Sequence, residues 1–188
     1  MKKYMILLLC LLLLVLGGCG SGGSESGSDA SDVQKFPSFT GSDLDGKRAG
    51  SDVFSENSVT VVNFWFSSCS PCIGELSELD ALNDELGKKG GAVIGINTDR
   101  LGGDSDMIKE AKKILKQQGA DYRNIRFDSA SGDAMDFANR ITAFPTTYLI
   151  DRSGNIIGES VVGSINNDDT MKMLRERLNE IIQKDTDI

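Results

Sequence analysis

Residues 59–66 read Val-Thr-Val-Val-Asn-Phe-Trp-Phe, a near-continuous run of β-branched and aromatic side chains. A strand with one wet face alternates apolar and polar residues. A run like this one must be covered on both faces, as in the middle of a parallel or mixed sheet flanked by helices. The rest of the chain agrees. Residues 92–97 read as a second buried strand, 106–118 as an amphipathic helix stopped by Gly119, and 125–127 as a further strand. A short helix over 133–140 and a last one over 167–183 follow. Two hairpins complete the pattern: residues 36–47 turning at Asp45-Gly46, and 146–150 with 156–162 across the turn 151–155. Alternating strands and helices predict an α/β domain with a mixed central sheet and helices on both faces.

The buried run leads straight into Cys69-Ser70-Pro71-Cys72. Proline is tolerated in the first turn of a helix, and the pattern predicts one continuing to about Lys88. A helix that begins at Cys69 sets its sulfur over unsatisfied backbone N–H groups, which favours thiolate over thiol. Cys72, one turn later on the same side, is close enough to close a disulfide. The expected roles are asymmetric: Cys69 exposed and attacking, Cys72 more buried and resolving. Leu76, Leu79, Leu82 and Leu86 share an arc of this helix that also contains Cys72 and Glu75. A carboxylate on an apolar face needs a partner or a raised pKa. Glu75 is therefore expected to accept the proton of the resolving thiol.

Composition narrows the chemistry further. The chain has no histidine, which removes Ser-His-Asp and Cys-His catalysis and His-ligated metal sites. With 20 Lys+Arg against 28 Asp+Glu, a formal net charge of −8, it has no basic stripe for nucleic acid. Of the 4 cysteines, Cys10 lies in an apolar leader and Cys19 directly after it, leaving one C-x-x-C. Structural zinc would need a second pair, and a bridge across two residues closes almost no loop, so the pair reads as a redox couple. No metal or other cofactor is expected.

The leader has Lys2 and Lys3 before an apolar run over 4–16, too short to span a bilayer. Leu16-Gly17-Gly18-Cys19 resembles the lipobox of bacterial lipoproteins. That resemblance implies a signal peptide over 1–18, lipidation of Cys19 and a membrane anchor. Residues 19–35 are rich in Gly and Ser and read as a flexible tether, with the folded domain over 36–188.

Asn63-Phe-Trp-Phe-Ser-Ser-Cys69-Ser-Pro-Cys72 and, later, Phe144-Pro-Thr-Thr-Tyr-Leu-Ile-Asp151 with Ser153-Gly154 resemble the TlpA/ResA family of membrane-tethered thioredoxin-like proteins. The resemblance implies a thioredoxin-like fold with an N-terminal hairpin extension and an inserted β-α element. Read from the residues alone, Pro145 starts a strand through a trans peptide bond. The resemblance instead implies a cis bond at Pro145, packed against the disulfide, with its exposed backbone and Phe144 docking a partner chain. Cys69 and Cys72 match the attacking and resolving thiols, and Glu75 matches an acidic residue of the family's reducing members. Trp65 and Ser68 join Phe144 as expected partner-binding residues. Ser68 replaces the family's usual aromatic residue and makes the mouth smaller and more polar.

The function expected is a thiol–disulfide oxidoreductase on the extracytoplasmic face of the bacterial membrane. The Ser-Pro dipeptide lacks the histidine of strong oxidants, which favours reduction of partners. Expected partners are an exported disulfide-containing client, such as apocytochrome c or a methionine sulfoxide reductase, and a membrane thiol electron donor, with the enzyme acting as a monomer. Three alternatives stand beside it: an oxidant of exported thiols, a peroxiredoxin-like peroxidase, and a non-catalytic Cu(I)- or solute-binding lipoprotein. A peroxidase would need threonine three residues before its reactive cysteine, where this chain has Phe66.

Overall fold

The computed structural model of the protein describes residues 33–99 and 105–187. The leader, Cys19 and most of the tether lie outside the described residues. Seven strands form one sheet: β1 (Thr40–Asp43), β2 (Arg48–Gly50), β3 (Val59–Trp65), β4 (Ala92–Asn97), β5 (Arg123–Phe127), β6 (Thr146–Asp151) and β7 (Val161–Val162), in the order β2-β1-β5-β4-β3-β6-β7. β3, β4 and β5 run parallel, while β1 pairs antiparallel with β5 and β6 with β3, so the sheet is mixed. The helices are α1 (Ser70–Ile73), α2 (Leu76–Gly87), α3 (Ser105–Gln118), α4 (Gly132–Asn139) and α5 (Asp168–Thr186).

Every residue of β3 is buried, because alternate side chains enter two separate cores. Val59, Val61 and Trp65 pack with Leu76, Leu79, Leu82 and Leu86 of α2 and with apolar residues of α3 and α5. Val62 and Phe64 point the other way, to Phe137 of α4 and to Phe36, Phe39 and Phe54. The four α2 leucines are essentially inaccessible to solvent, as their spacing predicts. Each such side chain contributes about 1.5–3 kcal/mol relative to exposure.

Four local departures from the sequence reading have physical causes. The first hairpin lies farther along the chain, at 40–50, around a turn at Asp45-Gly46 where Gly46 takes a φ of 85°. Phe36 and Phe39 are drawn out of it into the aromatic core. Gln34 and Lys35, assigned to the tether by composition, already belong to the fold: the Gln34 carbonyl accepts Ile156 N–H at 2.8 Å, and Lys35 bridges Asn155. The strand expected over 156–162 is interrupted, touching β6 at Ile156 and again at Val161–Val162. Between these points Arg177 of α5 takes the carbonyls of Ile157 and Glu159, at 2.9 and 2.7 Å, and Gly158 has positive φ. Finally, the helix after Cys69 is broken. α1 is a single turn capped at Gly74, and α2 restarts beyond Glu75, whose side chain turns inward.

Candidate active site

β3 carries the chain from the core to the site. After Trp65 a turn closed by Cys69 N–H on the Phe66 carbonyl, at 3.0 Å, sets Cys69 as the N-cap of α1, with Pro71 in its first turn. Cys69 and Cys72 form a disulfide with their Cα atoms 5.3 Å apart. Cys72 N–H points at Cys69 Sγ across 3.3 Å, so the backbone donor expected to favour a thiolate is in place. With α1 reduced to one turn, that local N–H supplies the stabilisation rather than a long helix. Cys69 is 6% exposed and Cys72 not at all, which preserves the expected order of accessibility but makes Cys69 nearly buried.

Glu75 is completely inaccessible. Its Oε1 accepts Asn63 Nδ2 at 2.9 Å, and its Oε2 accepts the Ile165 backbone N–H at 2.7 Å. Burial is the larger influence and pushes the carboxyl above its ordinary value, while these donors pull it back. Its own N–H binds the Cys72 carbonyl at 3.3 Å, tying it to the resolving cysteine's turn. Asn63 also donates to Thr147 Oγ1 of β6 at 3.0 Å. Asn63, Thr147 and Ile165 were not legible as partners of Glu75, although a lone amide within the apolar run of β3 was the signal available.

Pro145 is buried at the start of β6, and the Phe144–Pro145 peptide is cis, as the family resemblance implies and the residues alone do not. The Pro145 carbonyl, expected to be exposed, accepts Gly163 N–H at 2.9 Å. Phe144 is half-buried and meets Phe66 edge to face, ring centroids 5.1 Å apart. Phe66, which the sequence reading did not place in the site, thus packs on Phe144, and Ser68 is exposed. Trp65 requires a correction. Its ring is fully buried and its Nε1 donates to Asn124 Oδ1 at 2.7 Å, so it faces the core rather than a partner. A cavity of about 800 Å³ is lined by residues of the first hairpin turn, α3 and the start of β5, and includes neither cysteine.

The sequence matches the AhpC/TSA family over residues 33–159. It is 28% identical to the thiol-disulfide oxidoreductase ResA of Bacillus cereus, over 96% of this chain and 99% of that protein. It is likewise 28% identical to a thiol:disulfide interchange protein DsbE homolog of Paracoccus denitrificans, over 76% of this chain and 73% of that one. Among solved structures, a putative DsbE from Chlorobium tepidum superposes with a TM-score of 0.62 at 23% identity, covering 80% of this chain and 96% of that one. The shared architecture is the thioredoxin-like fold.

Proposed function

The chain belongs to the AhpC/TSA family and is a thiol–disulfide oxidoreductase of the ResA/DsbE kind, and from that premise we propose that it reduces disulfides of exported proteins. The observation that carries this direction is a Cys69–Cys72 pair whose resolving member shares its turn with a buried acid, Glu75, through the Glu75 N–H on the Cys72 carbonyl. In the reduced enzyme Cys69 thiolate attacks one sulfur of a partner disulfide and expels the other as a thiolate. Glu75 takes the proton of Cys72. The Cys72 thiolate then attacks Cys69 Sγ, breaks the mixed disulfide and releases the partner's second sulfur. Two electrons pass to the partner and the Cys69–Cys72 bond forms. A membrane dithiol carrier returns the electrons.

Phe144, Pro145, Phe66 and Ser68 form the mouth against which the partner lies. Phe66, where a peroxidase would carry threonine, packs on Phe144 instead. Clients are exported thiol proteins such as apocytochrome c or a methionine sulfoxide reductase, by resemblance to the TlpA/ResA family. The enzyme works at the extracytoplasmic face, held through lipidated Cys19. Among the described residues no helix is long and apolar enough to cross a membrane.

The test is the reduction potential of the Cys69–Cys72 couple, measured by alkylating the thiols after equilibration in defined thiol/disulfide buffers. A value at or below about −230 mV supports a reductant, and one near about −120 mV reverses the direction. A Cys72→Ala variant that traps a mixed disulfide with a disulfide substrate, and a Cys69→Ala variant that does not, would fix the order of attack.

A further inference from the structure

The turn that presents Cys69 is gripped from a neighbouring strand. Just beyond β4, Asp99 accepts the Ser67 backbone N–H with both carboxylate oxygens, at 3.1 and 2.9 Å, and the Ser67 hydroxyl hydrogen-bonds Oδ2 as well. Asn97 Nδ2 donates to the same Oδ2 at 3.1 Å, and Asp99 N–H returns a bond to Asn97 Oδ1 at 3.3 Å. Between them, Thr98 gives its N–H and its hydroxyl to the Trp65 carbonyl, at 2.9 and 3.1 Å. Thr98 and Asp99, the latter braced by Asn97, therefore hold the chain from Trp65 to Ser67. Only the exposed Ser68 separates this clamp from Cys69. Successive Cα atoms are about 3.8 Å apart, so Ser67 and Cys69 lie within about 7.6 Å.

A nucleophile must be held in place to attack along the axis of the target disulfide, and misplacement by about 1 Å is expensive. Glu75, the buried acid of the cysteine turn, is tied to Asn63 and Ile165 rather than to the turn before Cys69.

We infer that Asp99 is a positioning residue for the exchange reaction: through Ser67 it fixes the turn that carries Cys69. This rests on the oxidoreductase reading above. The experiment compares the full-length chain in detergent micelles with its Asp99→Asn and Ser67→Ala variants. Each is equilibrated with reduced and oxidised glutathione, and the rate at which the reduced form attacks glutathione disulfide is recorded.

Asp99→Asn leaves one side-chain acceptor for the Ser67 N–H and should slow the attack about threefold, with the equilibrium constant unchanged. Ser67→Ala keeps the charge and loses one bond to the clamp, so it should slow the attack about threefold with the equilibrium constant unchanged. If the unaltered enzyme exchanges and both variants match it in rate and constant, the inference fails alone. If the unaltered enzyme never exchanges, the oxidoreductase reading fails with it. Should Asp99→Asn not fold, Ser67→Ala decides, and a wild-type rate overturns the inference.

Discussion

Asn63 Nδ2 lies 2.9 Å from Glu75 Oε1, so an amide from the central strand holds the carboxyl group at the resolving cysteine's turn. The Ile165 N–H takes the second oxygen, which links Glu75 to the loop whose Gly163 N–H binds the Pro145 carbonyl. One buried acid thus touches the central strand, the cysteine turn and the segment bonded to Pro145.

Glu75→Gln removes the proposed proton acceptor. Disulfide exchange should fall on the order of a hundredfold, the low end for general acid–base catalysis, and lose the rise in rate that ionisation of Glu75 provides. Stopped-flow reduction of glutathione disulfide from about pH 5 to about pH 9 checks both. Unchanged rates across that range would remove Glu75 from the mechanism.

Stability carries a second signature of the same residue. Burial raises the Glu75 carboxyl above its unfolded value, with the Glu78 charge adding to it. Below the unfolded value both states are protonated and the group has no effect. As pH rises past it, the unfolded chain gives up the proton first, so Glu75 costs progressively more stability until the folded value is passed. Denaturant melts should show the stability difference shifting in favour of Glu75→Gln as pH rises above the ordinary glutamate value.

Gly95 lies where β4 passes beneath the hydrogen bond between Trp65 and Asn124. A methyl group there would collide with Asn124 Oδ1 and sit 3.1 Å from Trp65 Nε1. Gly95→Ala should cost about 1–3 kcal/mol by leaving a buried indole N–H unpaired. Urea unfolding measures the loss.

Phe66→Ala should remove half of the edge-to-face pair at the mouth. Such pairs contribute about 0.5–1.5 kcal/mol, so KM for a protein disulfide should rise by about threefold to tenfold. Turnover of glutathione disulfide, which needs no extended docking surface, should stay within about twofold. Equal losses with both substrates would place Phe66 in the chemistry rather than in docking.

Cys19→Ala tests the anchor. Stable attachment needs more than one acyl chain, and losing the modified cysteine should move the protein from the detergent phase to the aqueous phase on partition. Retention in detergent would refute lipidation at that position.

The sequence alone determined the elements whose environment is set by their own periodicity. The unbroken apolar run of β3 required cover on both faces, and the leucine spacing of α2 placed Glu75 on the buried side. The C-x-x-C spacing brought two sulfurs within one turn because neighbours three apart on a helix share a side. What only the tertiary structure decided depends on residues distant in the chain. The family resemblance implies Trp65 as a partner contact, and periodicity shows only that a residue is covered, not by what. Asn124, 59 positions away, turns it inward. The break between α1 and α2 arises where Glu75 turns to meet Ile165, 90 positions on, and the gap before β7 arises where Arg177 competes for strand carbonyls. The clamp of Asp99 on Ser67 spans 32 positions. A hydrogen bond between distant segments leaves no periodic trace in the chain, because it forms only after the sheet has brought the two segments together.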